Sequence, residues 1–208
     1  IMLRMLFSKK LWQPWPHQRR AVQIRHRVLL IGHSGSGKSE TVRSLALSLP
    51  HRKVVAFDFQ DGLLPLLESA GETPPNLELI RVEEGDIETS WLGLKEACTR
   101  VRTESGEGDW VCFDMADIVW EMAQRFYVWR KYGMELADYL LEAVTGKDKK
   151  VGFGGLTPDD WTLGIRPQYY CTIPRMLGAG CRANVVVTTG LKNVASWMKD
   201  GQEVFQEH

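Results

Sequence analysis

Apolar residues in this chain fall into short continuous runs separated by stretches of helical spacing. The run Val28-Leu29-Leu30-Ile31 meets a glycine-rich turn, and residues 39–49 then place Val42, Leu45, Ala46 and Leu49 on one face until Pro50. The first pattern predicts a buried-type strand and the second an amphipathic helix. Residues 54–59 read as a second strand, and residues 77–80 as a shorter third one after the Pro74-Pro75 break. Trp91, Leu94, Ala97 and Cys98 share a face of a helix predicted over 87–102, ended by the Gly106 and Gly108 loop, and residues 110–114 form a fourth strand. Val119, Met122, Phe126, Trp129, Leu136, Leu140 and Val144 recur at three, four or seven residues, which predicts one long helix or two meeting near Gly133. A loop over 146–158, a helix over 159–178 interrupted early by Pro167, and a fifth strand over 184–189 complete the pattern. Strands alternating with helices predict an α/β fold with a mostly parallel central sheet.

Charge changes this picture. The totals are 26 Lys and Arg against 26 Asp and Glu in 208 residues. No acidic residue precedes Glu40, however, so residues 1–39 carry eight basic residues and no acid, and the remainder carries eighteen against twenty-six. A segment of +8 is joined to a body of −8, an asymmetry that suits nucleic acid, an acidic membrane surface or an acidic protein surface, and equally a solvated terminus. Pro14 and Pro16, with Trp12 and Trp15 among basic residues, make residues 1–26 an arm and residues 27–208 the folded body. The four cysteines show no C-x-x-C pairing and predict a reducing compartment. No apolar run approaches the roughly 20 residues of a membrane span, and residues 1–7 lack the small-residue cleavage site of a signal peptide. Of the eight tryptophans, Trp91, Trp110, Trp120 and Trp129 are expected in the core.

The chemistry begins at the first turn. Gly32-His33-Ser34-Gly35-Ser36-Gly37-Lys38-Ser39 matches G-x-x-x-x-G-K-[ST] in full, between a strand and a helix opened by Ser39 and Glu40. Loop amides and the helix N-terminus of such a turn cradle phosphate, the lysine reaches the outer phosphates, and the serine hydroxyl ligates Mg²⁺. Lys38 and Ser39 take those roles here. A nucleotide site also needs a carboxylate at the end of a neighbouring strand to hold the hydrated metal, and Asp114 ends the fourth strand. Hydrolysis needs a group that orients the attacking water. Residue 115 is methionine, so no Asp-Glu pair is present; Asp61 is the first choice, with Gln60, Asp58 and Asp117 behind it. Asp61-Gly62 reads equally as a simple turn. Thr188 and Thr189 end the fifth strand, and Thr189 is assigned as a γ-phosphate sensor.

This order of elements resembles the RecA-type ATPase core: a phosphate-loop strand, a strand ending in Gln60-Asp61, a short strand, a strand ending in Asp114 without a following Glu, a long helix, a loop, a helix and a Thr-ended strand. It is most similar to the phage-encoded RecA/RadB-like ATPases that accompany single-strand annealing proteins, which share a D-W pair, here Asp160-Trp161. The resemblance covers roughly residues 27–200. It implies a three-layer P-loop NTPase that binds ATP and Mg²⁺, hydrolyses ATP and acts in DNA recombination, repair or replication. The implied assembly is a homo-oligomeric ring or filament in the cytoplasm of a bacterium or a virus-infected host cell, with single-stranded DNA and an annealing or recombination protein as partners. DNA-facing loops would then lie at 146–158, with Lys147, Lys149 and Lys150, and at 191–203, with Lys192 and Lys199. In that family a glutamate after the second strand activates water, and Gln60-Asp61 departs from it, which bears on turnover more than on binding. The family's core continues into further strands, so the C-terminal strands are expected to be missing.

Two other functions share the phosphate loop. A small-molecule or nucleotide kinase would need an arginine-bearing lid, and residues 146–158 contain lysines but no arginine. A non-catalytic ATP-dependent scaffold would bind nucleotide without turnover. No Asn-Lys-x-Asp guanine-reading motif occurs, which favours ATP over GTP.

Overall fold

A computed structural model describes residues 24–71, 73–82, 85–145, 156–191, 196–199 and 202–205. Residues 1–23, most of the arm expected over 1–26, and Lys147, Lys149, Lys150 and Lys192 lie outside the described residues.

Five strands form one all-parallel sheet: β1 (Arg27–Gly32), β2 (Val54–Asp58), β3 (Leu77–Arg81), β4 (Trp110–Asp114) and β5 (Asn184–Gly190), in the spatial order β1-β5-β4-β2-β3. The central strands β2 and β4 are almost continuously buried, as their unbroken apolar runs require. Helices cover both faces. On one, Val42 and Ala46 of α1 (Lys38–Ser48) pack with Leu63, just ahead of α2 (Leu64–Ala70), on Val54, Ala56, Cys112 and Val186. On the other, α3 (Ile87–Glu104) and α4 (Asp117–Tyr132) pack Trp91, Leu94, Val119 and Phe126 on Val55, Phe57, Val111, Phe113 and Val185. The result is a three-layer α/β arrangement.

The amphipathic pattern after residue 117 resolves into two helices. Gly133, at φ 71°, ends α4 and donates its N–H to Trp129 O, and α5 (Leu136–Thr145) follows. A left-handed glycine in that place terminates a helix without a Cβ penalty. The stretch expected as one helix after residue 159 is instead a π-helix (Asp160–Ile165), then α6 (Arg166–Tyr170) and α7 (Ile173–Leu177). Pro167 and Pro174 each lie in the first turn of one of the short helices, where a missing N–H costs nothing.

Three elements were not expected. α2 follows the Asp61-Gly62 turn, and an antiparallel hairpin, β6 (Ser196–Lys199) with β7 (Gln202–Phe205), begins within the 191–203 segment expected as a loop. Lys199 lies on β6. Among the described residues strand β1 is an edge of the main sheet, and its Leu29 and Ile31 are more than half exposed. No helix among the described residues is long and apolar enough to cross a membrane.

Candidate phosphate and metal site

The carboxyl ends of β1, β5, β4 and β2 converge on the start of α1, where ligands of parallel α/β sheets collect. Between β1 and α1, Gly35 (φ 75°) and Gly37 (φ 84°) take left-handed backbone that only glycine adopts cheaply. A Cβ at Gly32 would lie 2.5 Å from Ser36 Oγ, so the Ser36 side chain would have to turn away. The loop closes through the Ser36 N–H, which donates to His33 O at 3.2 Å. Helix α1 opens without a side-chain cap. The amides of Lys38, Ser39 and Glu40 therefore have no intrahelical acceptor and point positive dipole ends out of the helix. Lys38 Nζ lies across the loop, donating to Gly32 O and His33 O at 2.8 Å each. His33, Ser34 and Gly35 are exposed. The carboxylate of Glu40 turns back along the helix to Arg43 and Ser44.

Ser39 Oγ donates to Asp114 Oδ2 at 2.6 Å, which joins the phosphate loop to the end of β4. Asp114 is 1% exposed. Its other oxygen, Oδ1, accepts from Thr188 Oγ1 at 2.6 Å, and the same hydroxyl accepts the Met115 N–H at 2.9 Å. Met115 stands at φ 62°, a left-handed position for a non-glycine residue, and that bond holds its amide. Because β5 lies between β1 and β4, it can supply this bridge. In parallel pairing, residues in register share a face, so Asp114 and Thr188 look toward α1. Thr189 looks toward the opposite face, and its hydroxyl makes only a 3.4 Å contact with Gly190 O. Thr188 is thus joined to Ser39 and Asp114, and Thr189 is not.

The β2 end closes the site from the side. Asp58, 2% exposed, accepts the amides of Gly62, Leu63 and Leu64 at 2.9, 3.0 and 3.3 Å and so caps α2. That turn carries Gly62 against the pair: a Cβ there would lie 3.4 Å from Ser39 Oγ and 3.5 Å from Asp114 Oδ2. Asp61, at φ 51°, is next in the chain, but its carboxylate points outward to Arg81 Nε at 2.9 Å and is about half exposed. Asp117 begins α4, and its Oδ1 is buried with no hydrogen-bond partner among the described residues. The sequence places Asp58 behind Asp61 as a water-orienting candidate. The signal for its capping role was present: an acid at a strand end, four to six residues before a helix that opens Leu64-Pro65.

The donors available to a metal are a hydroxyl and a carboxylate. Among the described residues no group of three or more His, Cys, Asp or Glu could hold an ion. Such a pair is too sparse for a protein-only cage and fits Mg²⁺, which takes one or two protein oxygens together with water and phosphate. Cys98, Cys112 and Cys181 are buried and Cys171 half-buried, all as free thiols. Burial pushes the Cys98 and Cys112 thiols up to about 12, so neither is a thiolate ligand near neutral pH. No protein-family model matches the chain, and no curated protein matches it.

Proposed function

We propose that the chain binds a nucleoside triphosphate, ATP in preference, with Mg²⁺, and acts as a RecA-like P-loop ATPase. The observation that carries the reading is the 2.6 Å hydrogen bond between Ser39 of the phosphate loop and the buried Asp114. The loop amides and the α1 N-terminus receive the β-phosphate, and Lys38 swings from the carbonyls of Gly32 and His33 to the outer phosphates. Ser39 and Asp114 would hold Mg²⁺, which would supply charge neutralisation for the phosphates. Thr188 keeps Asp114 aimed at Ser39. Asp61 reaches an attacking water only by releasing Arg81, and Asp58 spends both oxygens on backbone amides. Both facts favour slow turnover and give the non-catalytic scaffold its support as a second reading.

Homo-oligomerisation is part of this proposal, supported by the edge position of β1 and the exposed Leu29 and Ile31. Action on single-stranded DNA in recombination, repair or replication rests on the sequence resemblance and the basic loops.

Titration calorimetry with Mg-ATP tests the reading. Wild type is expected to bind, and Lys38→Ala to lose at least about tenfold in affinity, or ~1.4 kcal/mol, without unfolding. Equal binding by both proteins refutes the site. Hydrolysis assayed with and without single-stranded DNA separates ATPase from scaffold, and phosphate appearing on a small-molecule acceptor would make the chain a kinase.

A further inference from the structure

The first turn of α4 and the segment after the π-helix line an open aromatic groove. Trp120, Arg166, Tyr169, Tyr170 and Pro174 line a cavity of about 390 Å³. Trp120 meets Tyr169 edge to face, with centroids 5.3 Å apart at 88°, and is backed by Trp161 at 6.1 Å. Tyr170 is 55% exposed, and the exposed guanidinium of Arg166 has no hydrogen-bond partner among the described residues. Perpendicular aromatic walls with one free donor suit a polyproline II segment, whose rings and side chains fill the slots and whose carbonyls lack internal partners.

The chain carries such a segment. Pro14 and Pro16 fix their own φ and push Gln13 and Trp15 toward extended backbone. With three residues per turn, Trp12 and Trp15 fall on one ridge of a polyproline II helix. The body also holds the end of this arm near the groove. Arg25 donates to Ala179 O at 2.8 Å and Cys181 O at 3.0 Å, and Arg27 to Leu177 O at 3.2 Å. Pro174, a wall of the groove, is on α7, five residues before Ala179 and so at most ~18 Å from it. Eight residues separate Pro16 from Arg25, and the nine steps between them span up to ~30 Å.

We propose that the Trp12-Gln13-Pro14-Trp15-Pro16 segment docks in its own chain's groove, with Trp15 against Trp120 and Tyr170 and with Arg166 donating to arm carbonyls. The tether makes a copy of this chain a poor competitor at low concentration, because the linked segment has a high effective concentration. This inference is independent of nucleotide binding.

The test uses the full chain labelled with 5-fluorotryptophan and read by ¹⁹F NMR, with resonances assigned by single Trp→Phe variants. Docking predicts that Trp15 shows a reduced H₂O/D₂O isotope shift, that Tyr170→Ala or Arg166→Ala restores the shift of a free indole, and that Trp15→Ala moves the Trp120 resonance. Tyr170 and Arg166 are exposed, so both variants are expected to keep the wild-type melting temperature. A Trp15 resonance at the free position and insensitive to Tyr170→Ala overturns the proposal. So does protection that vanishes on dilution, which would mean docking between copies. A single-stranded oligonucleotide that shifts Trp120 through Arg166 while Trp15 stays free would make the groove a nucleic-acid site and overturns it too.

Discussion

Replacing Thr188 by valine removes one hydroxyl of nearly the same volume and tests how the candidate site is held. Thr188 is fully buried, donates to the Asp114 carboxylate at 2.6 Å and accepts the Met115 amide at 2.9 Å. A hydrogen bond to a charged group is worth about 1.5–3 kcal/mol, and a buried amide left without acceptor adds about 1–3 kcal/mol. The two losses share one hydroxyl and overlap, so about 3 kcal/mol of folding stability is expected to go. For a chain of this size each kcal/mol moves the melting temperature by roughly 2–4 °C, so calorimetry should show a fall of about 6–12 °C. Thr188→Ser keeps the hydroxyl and is expected to fall within about 1 kcal/mol of wild type. Thr189→Val, on the other face, is expected to change stability by no more than about 0.5 kcal/mol. Equal effects of the two valine substitutions, or a silent Thr188→Val, would refute the assignment of Thr188 as the residue that holds Asp114.

Other perturbations follow from the same geometry. Gly62→Ala puts a methyl group 3.4–3.5 Å from Ser39 Oγ and Asp114 Oδ2; the fold should tolerate it, while Mg-nucleotide affinity measured by calorimetry falls about tenfold, or ~1.4 kcal/mol. Gly164→Ala drives a Cβ into the Tyr127 ring and should cost about 1–3 kcal/mol as overpacking, read by urea denaturation. Asp160 is buried and accepts from Tyr127, Lys131 and Thr157. Burial alone would raise its pKa, but the bonds from Lys131, Tyr127 and Thr157 outweigh burial and hold the carboxyl well below the usual carboxylate range. Its folded pKa is depressed, so its stabilisation is complete above about pH 4–5 and is lost as pH falls through the folded value. Asp160→Asn should therefore cost about 2 kcal/mol near neutral pH and less at strongly acid pH, as measured by denaturation at several pH values.

The legible parts of this fold were those set by local rules. The glycine-rich loop could be read because Gly35 and Gly37 sit where the backbone turns left-handed and Gly32 where a Cβ would crowd Ser36, all within eight residues. The five strands were visible as apolar runs for the same reason. Helix α2 was not, because only Leu67 within it is buried and its seven residues give the periodicity too few repeats. The choice between Thr188 and Thr189 was also out of reach. Adjacent residues of a strand face opposite layers, and the parity is set by register with β1 and β4, which sequence spacing does not contain.

Asp58 illustrates the same limit. From the sequence, Asp58, Gln60 and Asp61 near the end of β2 compete for one water-orienting role, with Asp61 the first choice. The fold reverses their accessibility to the site. Asp58 points inward but is consumed by three amides, and this holds Gly62 within van der Waals reach of Ser39 and Asp114. The glycine thus leaves space beside Ser39 and Asp114 that a side chain would fill. Asp61 is turned out to Arg81 by the same turn. If it orients water, the Arg81 pair must break in each cycle, and an exposed pair of this kind is worth only about 0–1 kcal/mol. Arg81→Ala should then raise turnover modestly, by no more than about fivefold, whereas a base elsewhere would leave the rate unchanged.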